Sequence, residues 1–439
     1  MVRDVMTMPL SKKILRRSLP ALAAISANAA AAPMTPEQFD AQTLTGDWGG
    51  LRSDAAHAGF DIRGDYVSET LGVPVGGLHH STRYTQQVRL GVDAHSEQLL
   101  GYDGGTFRVT LNDRRGNDAS GDLVGNRFPI QEAYGSQYTR LSELSYDQKF
   151  NDGKSYFKLG FYAMGNQFAS HTLLQNFVNA AFCAHPLAFM GNSGWYNYPA
   201  ARWGGEVAQQ FTPEINVRLG WFQVNPNLRF GTEDTYAFAL DADGTTGSLF
   251  PVELTWKPGA TTPYAGVYKF GAYYDTSTVA KRGLDTGEHS GRHGSYVLAE
   301  QKLFTPSGDG SSGLTAFAQY MVGDHKTALM THWYAVGGVY QGIGTRSKDR
   351  ISLGYVAADI NQRLLDARRV QLQNDGVPDE SPLYNLTGAE QLYELAYSYQ
   401  VNPWLLLRPD AQYIVDPGTY SYRQTDNALA VGLQVKLTF

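Results

Sequence analysis

The sequence predicts an all-β chain: a transmembrane antiparallel β-barrel of about 16 strands, preceded by a cleaved N-terminal signal peptide. Three observations predict it. Strict period-two alternation of apolar and polar residues recurs beyond residue 60, and the connections between alternating runs are sorted into short and long. No apolar run approaches the ~20 residues that a membrane-spanning helix needs, although 27 Tyr and 20 Phe supply amphipathic and apolar rings in quantity.

The chain starts with a basic stretch (Lys12, Lys13, Arg16, Arg17), a short apolar run "LPALAAIS" and the small residues "ANAAAAP". That order reads as a signal peptide over residues 1–32, cleaved after about Ala30 or Ala32. Its removal takes Arg3, Lys12, Lys13, Arg16, Arg17 and Asp4, and moves the formal charge from −6 to −10. An acidic exported chain excludes nucleic acid as the expected partner. The one cysteine, Cys183, has no partner for an internal disulfide and reads as an inert buried thiol.

Residues 33–59 form a segment expected at the periplasmic end, with Ser53 as the cap of a short helix. The strands follow within 60–439. In "YTQQVRLGVDA", Tyr84, Val88, Leu90 and Val92 face one way; Gln87, Arg89 and Asp93 face the other. "TFRVTLN", "SYFKLGFYA", "INVRLGWFQ" and "LYELAYSYQ" repeat the pattern. The chain ends on "NALAVGLQVKLTF", where Leu429, Val431, Leu433, Val435, Leu437 and Phe439 make one apolar column. A soluble sandwich would turn such columns into its core. A barrel in lipid turns them outward and faces Arg, Glu, Asp and Gly into a wet lumen.

Connection lengths separate the two. Short turns are "NDGK" (151–154), "TP" (212–213), "KPGATTP" (257–263), "TPSGDGSS" (305–312) and "NP" (402–403). Long segments at 113–139, 164–201, 225–247, 276–294 and 358–390 alternate with them. Outer-membrane barrels sort their connections this way, with tight periplasmic turns and extended external loops; a sandwich has no reason to.

Against that background, "LTGDWGGLRSDAAHAGFDIRGDY" (44–66), "RWGGEVAQQFTPEINVRLGWFQVNP" (202–226), "VYKFGAYYDTS" (267–277), "QKLFTPSGDGSSGLTAFAQY" (301–320) and "YELAYSYQVNPWLLLRPDAQYIVDPG" (393–418) carry a resemblance. They resemble the carbohydrate-selective porins of the OprB family, over almost the whole mature chain. The resemblance implies a 16-stranded barrel in the outer membrane of a Gram-negative bacterium, passing glucose and related sugars or polyols into the periplasm. It also implies that Phe439 is the mark read by the barrel assembly machinery.

A sugar has no net charge but many hydroxyls, so a selective wall needs fixed donors, acceptors and aromatic faces. Lumen parity nominates Arg89, Asp93, Arg108, Glu206, Arg218, Glu253, Glu394, Arg408, Asp410 and Gln412. The plainer reading is that such charges only solvate the lumen and pair with one another. Segment 164–201 is too apolar for a loop in solvent and is expected to fold inward, offering Trp195, Tyr196 and Tyr198 to a sugar ring, or to pack on the inner wall or on a homotrimer neighbour. Arg114, Arg127 and Arg140 are read as external-loop residues. His79-His80 lacks a third ligand at suitable spacing, so neither a metal nor a cofactor is expected. Two other classes compete. An outer-membrane enzyme needs a Ser–His pair on the lipid-facing exterior, but His95 stands at a turn and His332 has no obvious nucleophile beside it, so no enzyme is expected. A closed binding barrel is permitted by the long loops and opposed by the polar lumen.

Overall fold

The computed structural model describes residues 33–182, 184–228, 240 and 243–439; the expected signal peptide, residues 1–32, and Cys183 lie outside the described residues. Strands β1 (Phe60–Val75), β2 (Thr82–His95), β3 (Gly105–Gly116), β4 (Tyr138–Phe150), β5 (Ser155–Tyr162), β6 (Arg202–Gln210), β7 (Ile215–Val224) and β8 (Gly247–Trp256) form the first half of the wall. The second half is β9 (Gly266–Ala280), β10 (Glu288–Phe304), β11 (Gly313–Gly323), β12 (Met330–Ile343), β13 (Arg346–Ile360), β14 (Ala389–Asn402), β15 (Leu405–Val415) and β16 (Ala428–Thr438). Each pairs antiparallel with its sequence neighbours and β16 pairs with β1, so the sheet closes and leaves no free edge. Outward positions hold a band of Leu90, Leu159, Leu219, Leu353, Leu395 and Leu433, with Tyr274, Tyr334 and Tyr413 toward the long-loop rim and Phe150, Phe211, Trp256 and Phe304 toward the other.

Two expectations about connections need correction. The segment 276–294 is not a long loop: β9 and β10 run on through it and leave only residues 281–287 between them. Arg114 and Arg140 lie in β3 and β4, because those strands extend beyond the alternating core of the pattern.

The seam explains the terminus. Tyr66 pairs with Leu437 and Thr70 with Leu433, and the Phe439 N–H donates to the Gly64 carbonyl at 2.8 Å. A methyl on Gly64 would lie 3.0 Å from the Phe439 ring, so the bare backbone there makes room for the terminal aromatic. Helices α1 (Pro36–Gln42) and α2 (Leu51–His57) brace this end. The buried Arg52 donates to the carbonyls of Ile62 and Phe439, both at 2.8 Å, with the rings of Phe39 and Trp48 at 4.6 and 5.1 Å. Ser53 does not cap the helix: it lies inside α2, where Asp47 accepts its N–H at 2.8 Å and its hydroxyl at 3.0 Å.

The lumen is not polar throughout. Residues 117–137 and 163–201 fold inward and meet an apolar inner wall, burying Phe128, Phe177, Phe182, Phe189 and Trp195 against Tyr273, Tyr296, Phe317, Trp333, Leu392 and Ile414. Gly354 permits the approach, since a methyl there would lie 2.5 Å from the Phe182 ring. Inward residues of β9–β15 therefore belong largely to a core inside the barrel, while β1–β7 keep a charged inner face.

Candidate pore-lining site

The sequence-nominated residues separate into two groups. Glu253, Glu394, Arg408 and Gln412 hold the inward segments. Glu394 is fully buried and accepts the N–H groups of Val178 and Asn179 at 2.6 and 3.0 Å. Arg408 donates to the Phe177 carbonyl at 3.1 Å, and Gln412 donates to that of Ile130 at 2.9 Å. Glu253 accepts the Ala169 N–H at 2.6 Å and the Tyr296 hydroxyl at 2.9 Å. Asp410 accepts from Gln412 at 2.7 Å. Glu69, Asp275 and Glu390 act in the same way on Ala133, Gly194, and Arg127 with Phe128. Buried carboxylates thus accept backbone N–H groups that folding inward removes from water.

Trp195 and Tyr196 are drawn into the same packing rather than offered to a solute. Trp195 has 0% exposure and stacks on Phe189 at 4.5 Å between centroids. The Arg202 guanidinium covers Tyr196 at 3.6 Å, and the Tyr196 hydroxyl donates to the Asn225 carbonyl at 3.1 Å. His185 shares a hydrogen bond between Nε2 and Asn197 Oδ1, and burial pushes its imidazole down to about 4.

The second group forms a charge ladder on β1–β7. Arg63 donates to Asp93 at 2.6 Å, Asp93 also accepts from Arg108 at 2.7 Å, and Arg108 reaches Asp147 at 2.7 Å. Alongside, Arg89 pairs with Asp65 at 2.5 Å, Lys158 with Glu143 at 2.6 Å, and Arg218 with Glu206 at 2.5 Å. The side chains of Arg63, Arg89 and Arg108 are 38%, 42% and 30% exposed, against 11% for Arg218, so the three arginines on β1–β3 are the more open part of the ladder.

Between this ladder and segment 163–201 lies a cavity open to the lumen. Arg63, Arg89, Thr110, Ser142, Glu143 and Lys158 line it from the wall, and Asn166, Gln167 and Tyr198 from the inward segment. Tyr198 accepts a hydrogen bond from Asn112 at 2.8 Å, and its ring lies 5.8 Å from the Arg89 guanidinium. Arg63, Asp65, Glu143 and Lys158 were not nominated from sequence, although the inward parity of "FDIRGDY" and "SYFKLGFYA" carried the signal for Arg63, Asp65 and Lys158. Glu143 and Ser142 sit at a register shift between Thr110 and Leu111, which simple alternation does not reveal.

Residues 79–439 match the family model described as carbohydrate-selective porin, OprB family. Porin B of Pseudomonas aeruginosa is 32% identical over 444 residues, covering 95% of this chain and 96% of that protein. The chain belongs to the carbohydrate-selective porin family. Putative porin QuiX of Acinetobacter baylyi is 29% identical, covering 91% of this chain and 94% of its own. The high-pH structure of Pseudomonas putida OprB superposes with a TM-score of 0.84 at 31% identity, covering 91% of this chain and 99% of that one; its low-pH structure gives 0.59 at 25% identity, covering 91% and 98%.

As an OprB-family porin the protein is a sugar-selective channel of the Gram-negative outer membrane. The ladder suits that membership chemically. Arg89 engages Asp65 through Nε and Nη2, and Arg108 engages Asp147 and Asp93 through Nε and Nη1; the remaining guanidinium N–H groups keep fixed directions. The cavity thus presents ordered donors, carboxylate acceptors and an aromatic ring together, the groups that hydroxyl recognition needs.

Proposed function

We propose that glucose and related sugars or polyols are selected in the cavity between the arginine–carboxylate ladder and Tyr198, and diffuse passively into the periplasm. The observation that carries this reading is the arrangement itself: half-exposed Arg63 and Arg89 line the cavity from the wall and Tyr198 lines it from the inward segment, with Arg108 continuing the ladder beside them. The half exposure of three cations also supports a second reading, an ion-preferring porin without a sugar site.

Purified protein in planar bilayers separates the two. Glucose should block conductance steps in a concentration-dependent way, and Arg89→Ala with Arg108→Ala, or Tyr198→Ala, should weaken the block while the barrel still assembles. Conductance steps that glucose leaves unblocked in the unsubstituted protein would refute the sugar site and favour the ion-preferring reading. In this reading residues 1–32 are the export signal, 33–59 brace the periplasmic mouth, and lipid contacts the apolar band. The assembly machinery reads Phe439; a homotrimer is tested by crosslinking in native membranes.

A further inference from the structure

One part of the inner wall, beside the ladder of β1–β7, departs from the ladder's charge pairing. Arg140 on β4 faces inward directly opposite Asn112 on β3, and Arg114 is paired one inward step along, opposite Tyr138. Diagonal positions of this kind bring side chains on neighbouring strands to about 7–8 Å between Cα atoms. Arg114 donates to Gln87 Oε1 at 2.9 Å and to the Tyr134 carbonyl at 3.1 Å; Arg140 lies 4.0 Å from the Tyr138 ring. Among the described residues neither guanidinium has a carboxylate within 4.0 Å. Both are buried, at 6% and 5% exposure.

The unpartnered atoms have a definite shape. Arg140 Nε and Nη2, the Tyr138 hydroxyl and Asn112 Oδ1 are all buried and without hydrogen-bond partners. Nε and Nη2 form one edge of the guanidinium, two parallel N–H groups at the spacing of the two oxygens of a carboxylate. A buried guanidinium edge with neither a carboxylate nor a hydrogen-bond acceptor is costly, and it differs from Arg408, which also lacks a carboxylate but donates to Ser398, Phe177 and Gln434. One residue links the edge to the cavity: Asn112, opposite Arg140, holds the hydroxyl of Tyr198, and Tyr198 lines the cavity.

We propose that this edge is a carboxylate subsite, and that the channel also takes polyhydroxylated monocarboxylic acids, the hydroxyls along the ladder and the carboxylate on Arg140 with Arg114 behind it. The approach runs past Tyr198. The proposal rests on the ladder cavity being the selective passage, so the two are measured together.

The experiment records single-channel block of the unsubstituted protein by a hexonate, by the neutral amide of that acid, by glucose and by inorganic phosphate. The hexonate should block at about tenfold lower concentration than the amide. Equal block by acid and amide, with glucose still blocking, would overturn this proposal alone; failure of glucose to block would overturn the sugar site. Phosphate blocking as tightly as the hexonate would overturn the assignment to a carboxylate. Arg140→Lys keeps the charge and removes the fork, and Arg140→Gln removes both. Each should abolish the preference for acid over amide while glucose block persists, and a preference retained in Arg140→Lys would show that a point charge suffices and refute the fork.

Discussion

Glu394 offers the sharpest perturbation of the architecture, because one buried carboxylate holds two consecutive backbone N–H groups of the inward segment. Glu394→Ala leaves both N–H groups enclosed without an acceptor. Hydrogen bonds to charged groups contribute about 1.5–3 kcal/mol each, so the docking of residues 177–182 should weaken by roughly 3–6 kcal/mol. At about 1.4 kcal/mol per decade, the detached population rises roughly 10²–10⁴-fold. Glu394→Gln is the informative control: its amide oxygen can accept one of the two N–H groups, and its NH2 points a donor at the other, so it should fall between Ala and the unsubstituted protein.

Hydrogen exchange on the detergent-solubilised barrel reads this directly. Amides of the segment around Val178 and Asn179 should lose protection in the order Gln then Ala, while β1–β16 remain protected. Single-channel traces should become noisier in the same order as the segment enters the passage. Protection unchanged in Glu394→Ala would refute the idea that wall carboxylates hold the inward segments, and would shift the load to packing of Phe177 on Phe182, whose centroids are 4.2 Å apart.

The other expectations concern pH, closure and charge balance. His185 is held neutral by burial, with its folded pKa near 4 against an ordinary value of 6.5, so its contribution is fully present above 6.5 and is lost as pH falls toward 4, to a total of roughly 3 kcal/mol; protection factors of segment 163–201 measured from pH 7 to 4 should fall across that window, and a flat profile would contradict it. Deleting Phe439 removes the ring over Gly64 and shifts the chain end that Arg52 grips, so export should persist while heat-modifiable, inserted barrel declines in membrane fractions; undiminished insertion would show that the seam closes without it. Asp93→Asn leaves Arg63 and Arg108 without their shared carboxylate, so the reversal potential in a salt gradient should move toward anion preference and glucose block should weaken; a moved potential with intact block would mean that the ladder acts only as a field.

The strands were legible because the lipid imposes a strict rule: every outward position along each strand must be apolar, so parity survives even where propensity is mixed. All sixteen appear, the differences being ends that run on, as in β9, β10 and β3. Inward orientation of Arg89, Asp93, Arg108, Glu206 and Arg218 was equally legible from the same parity. What these inward residues face was not. Glu206 and Glu394 sit at similar inward positions on alternating strands, yet one meets Arg218 across the wall and the other meets the backbone of a segment more than 200 residues away in sequence. Parity fixes a side chain's direction; the path of an irregular segment fixes its partner, and no periodic signal encodes that path. The apolar content of 164–201 did announce that it would be buried, without announcing that the burial would consume Trp195 and leave Tyr198 at the cavity.

A channel for uncharged solutes has a reason to line its passage with charge. A lone serine or asparagine would rotate and rehydrate, so the solute would meet an average of orientations; a guanidinium fixed by one or two carboxylates presents its remaining N–H groups in constant directions. The cost of such fixing is a field that attracts or repels ions, unless the charges cancel locally. Around the cavity they do: Arg63, Arg89, Arg108 and Lys158 stand against Asp65, Asp93, Asp147 and Glu143, four cations against four carboxylates. Directional hydrogen bonding is thereby kept and net attraction for ions is suppressed, which is what discrimination by hydroxyl pattern requires. The same cancellation isolates Arg114 and Arg140. Their charge is not a diffuse property of the lumen but a local excess beside a balanced ladder, placed where a solute already aligned by its hydroxyls would bring an acid group.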